Sequence, residues 1–205
     1  MRGRGRQARG WIVRAIALVL CCAAAAPAAR AVPGTDAVRF HTFSTADGLP
    51  QATVRAIAQD ATGFLWLGTQ DGLARFDGYS FQVYRHERDD PWSLAESHVT
   101  ALVADTDGSL WFGTLTGGIS HYDPDLDRFR TYRADRARSD TLASDNITAL
   151  LLTRGGRLWV ANTGGRLQWL DRTAGTLHDS GLGQRAALRM VRSMLELPDG
   201  SLLLG

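Results

Sequence analysis

Acidic side chains are the first candidates for chemistry in this sequence. Asp105 and Asp107 precede Gly108 in the manner of a calcium loop, and Asp89 is followed directly by Asp90. A calcium site takes six or more oxygen ligands from a longer acidic loop, whereas Asp and Gly are the residues that hairpin turns use. Glycosidases need two carboxyl groups in one cleft, and the sequence cannot place any pair there. We therefore interpret the acidic pairs as turn residues and assign no catalytic residue.

Histidine and cysteine do not form a pattern typical of a metal site. The five histidines share no ligand spacing, and the two cysteines, Cys21 and Cys22, both lie near the N-terminus. Zinc-binding sequences usually carry Cys and His ligands at short, regular spacing. The sequence predicts neither a metal nor a cofactor. The histidines are His41, His86, His98, His121 and His178.

Tryptophan offers a second possible chemistry, the stacking of a ligand ring. Trp66, Trp111 and Trp159 occupy the same place in three similar segments, which favours packing between repeated units over ligand contact. Trp92 and Trp169 depart from that register. Because Trp92 lies in a connecting segment, and binding residues concentrate in loops, it is a weak candidate for contacting a ligand.

The N-terminal segment reads as a signal peptide over residues 1–31. Basic residues precede an apolar run, and Ala29-Arg30-Ala31 fits a signal-peptidase site, with Ala26-Pro27-Ala28 as the alternative and an uncleaved anchor as the second reading. The formal net charge of the chain is +2, but this segment holds six arginines and no acid, so the rest has 17 basic and 21 acidic residues. We expect an exported, periplasmic protein that does not bind nucleic acid, since phosphate binding uses a basic surface.

A sequence pattern is repeated in the chain after residue 40. A turn containing Gly, followed by Leu and Trp or by two leucines, recurs at residues 60–69, 105–114, 153–162 and 197–205. The Leu-Trp pairs are 45 and then 48 residues apart, and a short alternating apolar strand precedes each copy. The residues expected to define the repeat structurally are Gly63, Trp66, Gly68, Gly72, Gly108, Trp111, Gly113, Gly156 and Trp159.

Each copy predicts four short antiparallel strands, with Gly and Asp turns between them. Four strands in about 45 residues is the period of a β-propeller blade. We therefore predict an all-β fold over residues 38–205, with about three and a half blades of an incomplete ring. The predicted blades are residues 50–84, 95–132, 143–180 and an interrupted 187–205, after a lone outer strand at 39–43.

The repeat resembles that of the two-component regulator propeller family. The resemblance rests on residues 47–50 and 59–78, is close in the first copy and good in the second. In the third copy Thr153 replaces the turn aspartate, and Ala161-Asn162 replaces Gly-Thr. The resemblance implies the periplasmic sensor region of a hybrid histidine kinase or diguanylate cyclase, with this chain as its N-terminal fragment.

A sensor of that family implies several expectations for this chain. It would not be an enzyme by itself, although the full-length protein could carry kinase or cyclase activity. Its partner would be an unknown periplasmic ligand, with carbohydrate among the candidates, and the full-length form could dimerise. Contact with a membrane would come only through the signal segment or a missing C-terminal part.

Two other functions remain open from the sequence. A secreted propeller enzyme, such as a polysaccharide lyase or a quinoprotein-like dehydrogenase, would need a charged cluster or cofactor absorbance. An inactive gene fragment would be poorly soluble.

Overall fold

The computed structural model describes residues 40–182 and 190–205. The chain divides into two units, Met1–His41 and Thr42–Gly205, of which the second is compact. Of the first unit only Phe40 and His41 are described, so the predicted signal peptide lies outside the described residues. Among the described residues, no helix is long and apolar enough to cross a membrane.

The second unit consists almost entirely of antiparallel strands. After a short 3-10 helix at Thr45–Asp47, the strands are β1 Val54–Gln59, β2 Leu65–Thr69, β3 Gly72–Phe76, β4 Phe81–Tyr84, β5 Val99–Ala104, β6 Leu110–Thr114, β7 Ile119–Asp123, β8 Arg128–Tyr132, β9 Ile147–Leu152, β10 Leu158–Asn162, β11 Leu167–Asp171, β12 Thr176–Asp179, β13 Met194–Glu196 and β14 Leu202–Leu204. Strands β1–β4, β5–β8 and β9–β12 form three four-stranded sheets in sequence order, and β13 pairs with β14. The predicted all-β propeller fold is confirmed.

The first hairpin of each sheet is closed by a turn with a late glycine. In the first sheet, Asp60 accepts hydrogen bonds from the amides of Thr62 and Phe64 at 2.9 and 3.0 Å. Gly63 then has a φ of +96°, which a residue with a Cβ atom rarely adopts. Gly108, Gly156 and Gly200 hold the same place in the later copies and also have positive φ.

Neighbouring sheets pack face to face through apolar side chains. One face of each sheet packs against the preceding sheet, as Leu102 and Phe112, paired across β5 and β6, pack against Trp66. The opposite face carries the Trp of the sheet and packs against the next sheet. The first strands β1, β5, β9 and β13 contact one another in that order. Trp66 and Trp111 are accordingly buried between sheets.

Gly68 is required by the packing of one sheet on the next. A Cβ atom there would lie 2.6 Å from Cγ1 of Val99 at the start of the next sheet, closer than carbon atoms can approach. Gly113 stands in the same relation to Ile147. In the third copy Ala161 occupies this place and is buried with Val191.

The array of sheets is an open ring. On the first sheet, Ile57 is 63% exposed, whereas its counterparts Leu102 and Leu150 are 9% and 8% exposed. On the last sheet Leu203 is 57% exposed. These apolar side chains lie on the two faces of the array that no described sheet covers.

The lone outer strand predicted at 39–43 does not form in the described residues 40–43, which belong to none of the sheets. A strand requires a hydrogen-bonded ladder with a neighbour, and no described blade offers its third strand there. Phe43 instead contacts Phe76 and Phe81 edge to face, with ring centroids 4.9 and 5.5 Å away. The side chain of Phe43 therefore packs on the first sheet, while its backbone forms no strand.

Candidate functional site

Two junctions between sheets have the same framework and different contents. The first junction lies between sheets β1–β4 and β5–β8, and the second between sheets β5–β8 and β9–β12. Each receives a buried Trp from the preceding sheet, Trp66 in the first and Trp111 in the second. Because the framework repeats, differences between the junctions come from individual side chains.

In the first junction the tryptophan is anchored by a hydrogen bond. Nε1 of Trp66 donates to the Asp60 carboxylate at 2.7 Å. Burial raises the pKa of Asp60, but hydrogen bonds from Thr62, Trp66 and Phe64 outweigh it, so the pKa lies below its usual range. Asp60 is therefore an ionised anchor at neutral pH.

Tyr122 fills the first junction. Its ring centroid lies 4.9 Å from that of Trp66, and the side chain is 2% exposed. The Tyr122 hydroxyl donates to Oδ1 of Asp127 at 2.8 Å, and the Tyr84 hydroxyl donates to the same oxygen at 3.1 Å. Ring packing and these hydrogen bonds leave this junction closed.

The second junction has lost both of these groups. Leu170 stands where the preceding sheet has Tyr122, as the fourth residue of the third strand, and Gly175 stands where it has Asp127. A cavity of about 670 Å³ opens beside them, lined among others by Trp111, His121, Arg130, Arg157, Trp169 and Arg172. We call this cavity the second-junction groove.

Several buried polar atoms around the groove lack hydrogen bonds. In the described part of the chain, Nε1 of Trp111 and Nε2 of His121 have no hydrogen-bond partner. Buried polar groups in proteins are nearly always satisfied, and the equivalent nitrogen of Trp66 is. Trp111 is 2% exposed, so its free N–H is a donor held away from solvent.

The turn aspartates of the second sheet face an arginine. A guanidinium nitrogen of Arg172 lies 2.5 Å from Oδ2 of Asp105 and 3.7 Å from Oδ2 of Asp107. The first contact is an ion pair without hydrogen-bond geometry. Arg172 thus holds Asp105, the counterpart of the residue that accepts from the tryptophan in the first junction.

The charge of the groove is positive. Arg130 and Arg157 form no ion pair with any described residue, and their guanidinium groups lie over the rings of Tyr132 and Trp169, at 5.3 and 4.7 Å from the centroids. The acidic lining residue, Asp171, already accepts hydrogen bonds from amides of its own turn. Two guanidinium groups are therefore left with unneutralised charge.

His121 adds an uncharged ring to the groove. Burial lowers the pKa of His121 below its usual range, since desolvation disfavours the charged form. Its ring centroid lies 4.2 Å from that of Trp111. At neutral pH the imidazole is therefore neutral, with one nitrogen to donate or accept.

The groove is equipped for binding. Guanidinium groups and N–H donors recognise oxygen atoms of a ligand. No cluster of three or more His, Cys, Asp or Glu suited to a metal ion occurs among residues 40–182 and 190–205.

The predicted site residues are divided between groove and framework. Trp111 and Gly156 line the groove. The other glycines, Gly63, Gly68, Gly72, Gly108 and Gly113, lie in turns or strands, Trp66 belongs to the first junction, and Trp159 is partly buried towards the last sheet. Trp92 is 50% exposed with the guanidinium of Arg128 over its ring at 5.2 Å, and it does not line the groove. A role of Trp92 in ligand contact stays a prediction.

Sequence reasoning missed the three arginines of the groove, Arg130, Arg157 and Arg172. Arginines on the outer strands and turns look like ordinary surface residues in the sequence. The available signal was the comparison of copies, in which Tyr122 becomes Leu170 and Asp127 becomes Gly175. Loss of a large side chain at a packed place in a repeat indicates space.

Comparison with known proteins gives one family. The model of the two-component regulator propeller matches residues 48–71 and 93–116. A histidine kinase from Formosa agariphila is 46% identical over 56 residues, which are 27% of this chain and 4% of that protein.

Solved structures from B. thetaiotaomicron share the fold. The extracellular domain of a candidate hybrid two-component system superposes with a TM-score of 0.72 at 25% identity, covering 80% of this chain and 23% of the other. The extracellular domain of a candidate one-component system has a TM-score of 0.59 at 21% identity, covering 75% and 20%. The chain spans less than a quarter of the length of these proteins.

The matched residues contain the turn, the Trp strand and the sheet-packing glycine of the first two copies. These two copies therefore match the repeat of the two-component regulator propeller.

Proposed function

We propose that this chain is the ligand-recognition part of a sensor propeller in a transmembrane signalling protein, and that it has no catalytic activity of its own. The observation that carries the proposal is the second-junction groove, an open cavity with free donors at a place that the neighbouring junction fills. Clefts with a few placed polar groups are where proteins bind small ligands.

The compartment follows from the same proposal. The predicted signal segment at residues 1–31 would export the chain, and the similar structures from B. thetaiotaomicron are extracellular domains. We infer that the chain works in the periplasm, tethered to the inner membrane by a part of the full-length protein that lies beyond it.

The location of the groove suggests how binding would be transmitted. Trp111 and His121 belong to one sheet, whereas Arg157 and Trp169 belong to the next. A ligand that contacts both sheets stabilises one arrangement of the junction over others, by its differential affinity for them. In this proposal that bias passes along the ring to an output domain.

The experiment is to determine the coding sequence that follows the codon for Gly205 in the genome. We expect the reading frame to continue through further propeller repeats and a membrane span into a histidine kinase or diguanylate cyclase. A stop codon in an intact genome, with no output domain in the same protein, would overturn the proposal.

A further inference from the structure

We propose that the second-junction groove binds a small organic acid that carries a carboxylate and at least one further oxygen acceptor. This inference rests on the proposed recognition function and names its ligand class. Arg130 and Arg157 would hold the carboxylate, and Nε1 of Trp111 would donate to the further oxygen.

The charge of the ligand follows from the arginines. Arg130 and Arg157 line the groove and have no ion pair among the described residues, while Arg172 is engaged by Asp105. Guanidinium groups bind carboxylates through paired, charge-assisted hydrogen bonds. Both side chains are exposed, so an anionic ligand would exchange their water for charge-assisted hydrogen bonds, which a neutral ligand would not form.

The arginines are also held in place. Arg130 lies over Tyr132, and Arg157 lies over both Trp169 and Trp159, at 4.7 and 6.0 Å from the ring centroids. Stacking on a ring restrains a guanidinium group while leaving its N–H edge free to donate. Restraint of this kind lowers the entropy cost of binding an anion.

The second oxygen follows from an independent observation. Nε1 of Trp111 is a donor on a side chain that is 2% exposed, and it has no partner in the described residues. Indole nitrogen only donates, so its partner must be an acceptor. A hydroxyl or second carboxylate oxygen of the ligand would be that acceptor, because Asp105, the counterpart of Asp60, is engaged by Arg172.

The size of the groove agrees with such a ligand. A volume of about 670 Å³ falls in the range of about 300–1,000 Å³ typical of small-molecule sites. The first junction has the same framework, but Tyr122 and Asp127 fill the corresponding space, so no such site forms there.

The test is calorimetric titration of the full chain with four probes. Glucuronate and citrate both combine a carboxylate with further oxygens, and they separate a sugar acid from a polycarboxylate. Glucose has the oxygens of glucuronate without its charge, and acetate has the charge alone. We expect saturable binding of glucuronate or citrate, at least tenfold tighter than glucose and acetate.

Substitution of the arginines then locates the binding. Arg157→Gln should weaken binding of the bound acid by about tenfold to a hundredfold, because a charged hydrogen-bonding partner is lost. Arg157 is exposed, so the variant should fold, as circular dichroism would check. Arg55→Gln, which changes an exposed arginine of β1 outside the groove, should bind like the wild type.

Three results would overturn the inference: no saturable binding of either acid, equal binding of glucose or acetate, or wild-type affinity in Arg157→Gln. Failure here can be told from failure of the proposed function. If neither acid binds but the reading frame continues into an output domain, only the ligand class is wrong. If an acid binds but no output domain follows, the site stands and the sensor function falls.

Discussion

The two junctions between the first three sheets show how one repeat can yield both a packed core and a cavity. In the first, Tyr122 and Asp127 fill the space beside Trp66, whose indole nitrogen donates to Asp60. In the second, Leu170 and Gly175 leave that space open beside Trp111, whose nitrogen has no described partner. Differences in side chain, on an unchanged backbone plan, separate a structural junction from a candidate binding site.

The largest effect should come from removing the residue that fills the first junction. Tyr122→Leu gives that junction the side chain of the second, and loses ring contacts with Trp66 and the hydrogen bond to Asp127. We expect the free energy of unfolding to fall by about 2–4 kcal/mol. Urea denaturation measures it.

The matched control is Tyr79→Leu, since Tyr79 is 97% exposed and should lose almost nothing. If Tyr122→Leu and Tyr79→Leu are equally stable, Tyr122 does not fill the junction as described.

A smaller effect should distinguish the two tryptophans. Trp66→Phe removes an N–H that donates to Asp60 at 2.7 Å, whereas Trp111→Phe removes an N–H without a described partner. Both changes remove similar ring area, so their difference isolates the hydrogen bond. We expect Trp66→Phe to be the more destabilising by about 1–2 kcal/mol.

The difference would be measured by thermal and urea unfolding of both variants at one pH. Equal losses of unfolding free energy would mean that the hydrogen bond from Trp66 to Asp60 adds no stability. The difference in hydrogen bonding between Trp66 and Trp111 would then not affect stability.

The smallest effect is on the pH dependence of stability. Because the pKa of folded Asp60 lies below its unfolded value, owing to hydrogen bonds that outweigh burial, its contribution is present above the unfolded pKa. That contribution is lost as the pH falls through the folded pKa. Asp60→Asn should therefore lose less stability on acidification than the wild type.

Unfolding free energies between pH 6 and pH 3 would test this expectation. Trp111→Phe serves as the comparison and should keep the wild-type profile, since its nitrogen makes no bond to a titrating group. An Asp60→Asn profile parallel to that of the wild type would contradict the role given to Asp60.

The fold was largely predictable from the sequence because its signals are local. Alternating strands, turns with Gly63 or Gly108, and the recurring Leu-Trp pair are encoded within a few residues of one another. The strand predicted at 39–43 is absent from the described residues 40–43, because such a strand pairs with a distant third strand and the last described sheet has only two strands. The aromatic side chain of Phe43 is satisfied by packing on Phe76 and Phe81.

The groove was not predictable in the same way, because a cavity is made by absent volume. Leu170 looks like an ordinary core residue, and it is 2% exposed. Gly175 is informative only when it is compared with Asp127, which holds the same position in the preceding copy. Arg130, Arg157 and Arg172 come from a strand and two turns that the fold brings to one place.

The most direct test of the account is to close the groove with the side chain that closes the first junction. Leu170→Tyr would be titrated with glucuronate and citrate beside the wild type, after circular dichroism has shown that it is folded. We expect the wild type to bind one of these acids and Leu170→Tyr to bind it at least tenfold more weakly. Equal affinity in the two proteins would contradict the claim that the space left by Tyr122 is the binding site.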